Sequence, residues 1–244
     1  MGLISKFVIV NGIRLHYLEG GAGRPLLIIP GWLTTAFMYR QAGEILLNNF
    51  KVFIIDVPGQ GKSGKLTRNW QLADYLKTVN SFIRSQGLKN LVLVGHSLGG
   101  AISAAIYENN PGITKLILIN SLGAHTPHLF KIWAKSVLKR PFNMDILIYL
   151  PEFIKTILFP HYLSLKRSLN VIFNLNLEAE LKKVTKEVII LWGDKDKLLS
   201  SEYGKNLAAF FPNARFISVE EGQHSWPIIF PERFVNYLDY LCLK

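Results

Sequence analysis

The sequence predicts an α/β fold with a mostly parallel central sheet, and three observations carry that expectation. Short, uninterrupted apolar quartets recur along the chain, segments with helical spacing lie between them, and one hairpin signal precedes them all. A strand with one wet face alternates apolar and polar residues, whereas a strand covered on both faces has no need to. Continuous quartets bounded by Gly, Asp or Asn therefore describe inner strands with helices on both faces of the sheet.

The hairpin comes first. Phe7-Val8-Ile9-Val10 and the stretch from Arg14 to Tyr17 flank Asn11-Gly12, a dipeptide that tight hairpin turns favour because both positions need positive φ. Leu26-Leu27-Ile28-Ile29 and Val52-Phe53-Ile54-Ile55 are the first buried strands. Leu72, Tyr75, Leu76, Val79, Phe82 and Ile83 then recur at three- and four-residue spacing, the mark of an amphipathic helix. Leu91-Val92-Leu93-Val94 and Leu116-Ile117-Leu118-Ile119 follow, with a helical segment at 102–107 between them. After Val188-Ile189-Ile190-Leu191, Ser200 and Ser201 are placed to cap a helix carrying Tyr203, Leu207 and Phe210. A strand-like run at 216–219 and a helix marked by Phe234, Leu238 and Leu241 close the chain. Only residues 124–184 break the rhythm. Pro141, Pro151 and Pro160 separate helix-prone segments there, over a stretch too long for a loop. The expected organisation is a core of residues 1–123 and 185–244 with a helical cap, or lid, inserted at 124–184.

Composition narrows the class. With 49% apolar residues and 18% charged ones, the 244-residue chain is not disordered. One cysteine, Cys242, excludes a disulfide framework or a thiolate metal site and suits a reducing compartment. Pro151, Glu152, Lys155, Pro160 and His161 interrupt the most apolar stretch, so no transmembrane segment is expected. Near the N-terminus Lys6 interrupts the apolar residues, no small-residue cleavage site follows, and the myristoylation pattern is missed. The expected location is the cytoplasm. The formal charge is +11, yet no recognition motif or concentrated arginine patch accompanies it, so nucleic acid is not an expected partner.

The chemistry begins at Gly95-His96-Ser97-Leu98-Gly99-Gly100-Ala101, a Gly-x-Ser-x-Gly between a buried strand and a helix. A nucleophilic serine on a sharp strand-to-helix turn exposes its hydroxyl, and side chains two positions away would collide with neighbouring backbone. The hydroxyl needs a base and the base an orienting acid. Gly193-Asp194-Lys195-Asp196 follows one strand and Gly222-Gln223-His224 another, giving the order Ser97, Asp196, His224. All three lie just beyond strand carboxyl ends, where open α/β sheets place their sites.

Here the sequence resembles the α/β-hydrolase superfamily, in particular its esterase-like serine hydrolases with a small helical cap. Asp56-Val57-Pro58-Gly59-Gln60-Gly61-Lys62-Ser63 is similar to the family's Asp-x-Pro-Gly-x-Gly-x-Ser loop, and Glu19-Gly20-Gly21-Ala22-Gly23-Arg24-Pro25 to its usual approach to the third strand. The resemblance covers most of residues 7–123 and 185–242 and scarcely touches the cap. It implies Ser97 as nucleophile, Asp196 as acid and His224 as base. It also implies an oxyanion hole formed by the backbone N–H groups of Leu98 and Trp32. Many relatives carry His-Gly where this chain has Pro30-Gly31. Asp194 competes for the acid role, and the family spacing favours Asp196. Some relatives carry the acid after the preceding core strand, where this chain has Asn120 and Ser121. His96 reads as packing, Asp56 as a structural turn residue, and Cys242 as part of the core. His125, His128 and His161 have no matching acidic or thiol set, so no metal is expected.

Such parts support a serine carboxylesterase acting on small-to-medium apolar acyl esters, with no cofactor. A serine nucleophile argues against the aspartate-based epoxide hydrolases and haloalkane dehalogenases. The same triad would also serve a thioesterase, a lipase or a carbon–carbon bond hydrolase, and a catalytically silent ligand-binding fold is a third class. Two features of the cap bear on substrate. A dense apolar run from Ile146 to Leu163 fits either an apolar pocket or simple packing on the core. Lys131, Lys135, Lys139, Arg140, Lys155, Lys166, Arg167, Lys182 and Lys183 fit either a solvated face or steering of an anionic substrate, an acidic acyl carrier or an anionic surface.

Overall fold

A computed structural model of the chain describes residues 2–125 and 162–243. Strands β1 (Ile4–Val10) and β2 (Ile13–Gly20) form the N-terminal antiparallel hairpin. Its turn residues Asn11 and Gly12 have φ of 50° and 74°, as a two-residue hairpin loop demands. Next come β3 (Arg24–Ile29), β4 (Phe50–Ile55), β5 (Leu91–His96), β6 (Ile113–Ile119), β7 (Val188–Gly193) and β8 (Ala214–Val219). They make one eight-stranded sheet in the order β1-β2-β4-β3-β5-β6-β7-β8. β2 meets β4 antiparallel, and every pairing from β4 to β8 is parallel.

Helices cover both faces, which is why the quartets need no polar residues. Leu27, Ile29, Phe53, Leu93, Leu116 and Ile190 pack with α2 (Leu72–Ser85), α3 (Leu98–Tyr107) and, further along the chain, Leu181 and Leu207. Their strand neighbours Leu26, Ile28, Ile54, Val94, Ile117 and Ile189 pack on the other side with α1 (Arg40–Leu46) and the C-terminal helix. Each quartet thus feeds two cores alternately. After β6 come α4 (Tyr162–Phe173) and α5 (Glu178–Leu181). Then follow α6 (Ser201–Ala208), the short α7 (Trp226–Ile229) and α8 (Pro231–Cys242).

Some boundaries differ from the sequence reading. Ser200 alone caps α6, its hydroxyl accepting from the Tyr203 N–H at 3.2 Å, while Ser201 is the first helical residue and Phe210 lies beyond the end. The pattern also missed α1 and the 3₁₀ turn Ala36–Tyr39 before it. Gly43 faces the core where an apolar side chain would have marked the helix. A Cβ there would come within 2.7 Å of Ile54 and 2.8 Å of Leu3.

Of the segment read as a cap, α4 and α5 are described. Residues 126–161, with the apolar run up to that point, His128, His161 and the basic residues Lys131 to Lys155, lie outside the described residues. Helix α4 is fastened over the loop after β4. Ser164 accepts from the Leu66 N–H at 2.9 Å, and the Arg167 guanidinium donates to the Leu66 carbonyl. No helix among the described residues is long and apolar enough to cross a membrane.

Candidate active site

Ser97 occupies the turn between β5 and α3 with φ 53° and ψ −117°, a backbone state that costs an L-residue free energy and survives only where its surroundings fix it. Those surroundings are backbone. The Ser97 N–H donates to the Ile119 carbonyl at 3.0 Å, and the Ser97 carbonyl accepts from Leu122 and Gly100, each at 3.0 Å. The close approach explains Gly99, because a Cβ there would lie 2.0 Å from the Ile29 carbonyl oxygen. Leu98 opens α3, so its N–H belongs to the first-turn donors that lack an intrahelical acceptor. On the β3 side Gly31 faces Ser97, with room for no side chain between them. Trp32 follows it, donating its indole N–H to Ser168 of α4 at 2.9 Å.

The turn after β7 presents Asp196, which is buried, while Asp194 is exposed. Asp196 Oδ2 accepts from His224 Nδ1 at 2.7 Å and from the Asn120 amide at 2.6 Å; Oδ1 accepts from the N–H groups of Leu198 and Leu199 at 2.7 and 2.9 Å. Burial disfavours its charge. The opposing His224 ring and these hydrogen bonds outweigh that cost together and hold the carboxyl below the usual carboxylate range. With Nδ1–H committed to the carboxylate, the other nitrogen of His224 keeps its lone pair. The structure therefore brings the acid and the imidazole together in one bond. Ser97 is linked to His224 through its neighbour His96, and its own hydroxyl makes no hydrogen bond to His224 among the described residues.

Two contributors were not legible as such. His96 is fully enclosed; its Nε2–H donates to the His224 carbonyl at 2.8 Å, and its Nδ1 accepts from the Tyr39 hydroxyl at 2.7 Å. Asn120, at φ 41°, donates to Asp196 while its amide oxygen accepts from Trp226 Nε1 at 3.0 Å and Gly193 N–H at 3.3 Å. The available signal was a polar pair, Asn120-Ser121, placed directly after an apolar quartet. Asp56 acts in a turn, accepting from Ala36 N–H at 2.6 Å and Lys62 N–H at 2.8 Å, and it ties the loop after β3 to the loop after β4. Gln60, in that loop, accepts from the N–H of Leu33, a residue at φ 64°. Among the described residues no group of three or more His, Cys, Asp or Glu side chains is arranged to hold a metal ion.

Comparison with known proteins places the fold. The profile of the alpha/beta hydrolase fold matches residues 24–145, half of the chain. The chain belongs to the α/β-hydrolase fold family. Over 264 aligned residues this hydrolase is 28% identical to the uncharacterized hydrolase YugF of Bacillus subtilis (strain 168), covering 96% of each chain. It is 24% identical to Lipase 1 of Psychrobacter immobilis, over 91% of this chain and 78% of that one. The solved enol-lactonase of Burkholderia xenovorans LB400 superposes with a TM-score of 0.84 at 18% identity, covering 98% of this chain and all of the other at 100%.

Proposed function

We propose that this α/β hydrolase is a serine carboxylesterase that cleaves small-to-medium apolar acyl esters through an acyl-enzyme on Ser97. The observation that carries the reading is a serine held at positive φ on a strand-to-helix turn, whose neighbour His96 bonds the carbonyl of a histidine with its Nδ1–H committed to a buried carboxylate. His224 takes the Ser97 proton as the hydroxyl attacks the ester carbonyl carbon. The N–H groups of Leu98 and Trp32 receive the oxyanion, each such donor supplying about 3 kcal/mol of transition-state stabilisation. His224 then protonates the departing alcohol, and water repeats the cycle to release the acid. Asp196 fixes the imidazole tautomer and stabilises its charged form. No cofactor enters this scheme. An ester is favoured over an amide because an alkoxide leaving group needs less protonation than an amine. The curated relatives include a lipase, which agrees with this reading. A cytoplasmic location and an anionic substrate or acidic carrier at the basic flank belong to the same proposal.

Two measurements test it together. A fluorophosphonate should label the Ser97 peptide, and p-nitrophenyl esters of increasing chain length should be hydrolysed, with Ser97→Ala lowering kcat by about 10⁴-fold or more. Labelling without turnover of any ester would move the assignment to a thioester, a lactone or a carbon–carbon bond. Absence of labelling at Ser97 would remove the serine mechanism altogether.

A further inference from the structure

Away from the elbow, the hairpin carries a second chain of serine, histidine and carboxylate. Ser5 Oγ lies 2.8 Å from His16 Nε2, and His16 Nδ1 lies 2.6 Å from Asp56 Oδ2. Because the carboxylate takes the proton-bearing Nδ1, Nε2 presents its lone pair and the Ser5 hydroxyl donates to it. His16 and Asp56 are buried at 3% and 2% exposure, whereas Ser5 is exposed on the outer strand of the sheet. The inner half of this chain is rigid. Asp56 is held by the Ala36 and Lys62 N–H groups, and the His16 N–H donates to Ser63, whose hydroxyl returns a bond to the Asp56 carbonyl. A turn aspartate needs none of the Ser5 contact to do its structural work.

We propose that Ser5 is an acyl-acceptor site, a serine activated by His16 and Asp56 that is modified stoichiometrically by activated acyl donors such as thioesters and aryl esters. Ser5 Oγ attacks the donor's carbonyl carbon while its proton passes to His16 Nε2. The tetrahedral adduct expels thiolate or phenolate, which takes up that proton from His16 or from water, and an ester on Ser5 remains. The same face of β1 places Phe7 and Ile9 outward at 41% and 76% exposure, an apolar track along which an acyl chain can lie. The Arg14 guanidinium stacks 3.6 Å over the Phe7 ring and supplies positive charge beside that track. Among the described residues no helix starts beside Ser5 to offer the paired N–H donors that the elbow has. Each missing oxyanion donor lowers the rate by about 10²–10³-fold, so only donors with good leaving groups react and the adduct is not turned over.

The test uses full-length Ser97→Ala protein, so its outcome is independent of the esterase reading. Exposed to 4-nitrophenyl acetate and digested for peptide mass mapping, it should carry a single acetyl group on Ser5. Adding His16→Asn should slow that modification by about 100-fold, the lower end of what a positioned base contributes. An unmodified Ser5, or one modified equally fast without His16, overturns the proposal. Since His16 is buried, Ser5→Cys gives a second reading at an exposed position. Its thiol should react with iodoacetamide about 10-fold faster than that of Ser85→Cys, reflecting a thiolate fraction raised by the neighbouring imidazole. Equal rates would count against the activation as firmly as an absent adduct.

Discussion

His96 is enclosed on every side, and its two ring nitrogens do different work. Tyr39 donates to one, and the other donates to the carbonyl of His224, so the ring positions the residue proposed above as the base. Burial, followed by the charge of His224, pushes its pKa down from 6.5 to about 3. The sign of the linkage follows. Below pH 6.5 the unfolded chain protonates this histidine while the folded one does not, so unfolding takes up a proton. The stability its neutral form supplies is complete above about 6.5 and drains away as pH falls toward 3. His96→Gln, which keeps a donor for the His224 carbonyl but cannot titrate, should therefore show a shallower loss of melting temperature between pH 6.5 and 4 than the wild-type chain. Parallel curves would mean that the ring is not held neutral. Under the proposed mechanism the variant should also lower kcat more than it raises KM, because the contact acts on His224 and not on substrate binding.

At the scale of elements, the elbow depends on how closely α3 meets β3. A methyl group at Gly99 would sit 2.0 Å from the Ile29 carbonyl oxygen and 2.5 Å from that of Pro30. Both are backbone atoms with no rotamer to yield, so Gly99→Ala must push α3 outward and carry the Leu98 N–H with it. The expected result is a loss on the order of 2 kcal/mol in urea unfolding, as for other overpacked sites, with a larger fall in kcat than in KM. Unchanged stability would show that the helix has slack to give. This element was legible in the sequence because strand, glycines and helix are contiguous. The buried strands were legible for a related reason: each feeds two cores, so no polar residue interrupts it. Helix α1 was not, since Gly43 removes the side chain that would have shown its inner face. Nor were the roles of His96 and Asn120, whose partners stand 128 and 76 positions away. No local pattern encodes a contact of that span.

Considered whole, the molecule is strongly cationic, and part of that charge is exposed on and beside α4 and α5. The net charge is +11. Helix α4 reaches Trp32 through Ser168, and the stretch before α5 joins the segment that follows β6 by a 2.8 Å bond from Leu177 N–H to the Gly123 carbonyl. Lys166 on α4 and Lys182 and Lys183 just after α5 are exposed. Charges within about one Debye length of an entrance, about 10 Å at 0.1 M salt, steer a charged substrate and leave a neutral one alone. A 4-nitrophenyl half-ester of succinate should therefore lose kcat/KM by about 3-fold or more as salt rises from roughly 10 to 300 mM, while 4-nitrophenyl butyrate stays level. Lys182→Glu with Lys183→Glu should flatten the first response without touching the second. If both esters respond alike, the lysines form a solvated face, and the excess charge acts on solubility alone. A difference confined to the anionic ester would instead make the basic flank part of substrate selection.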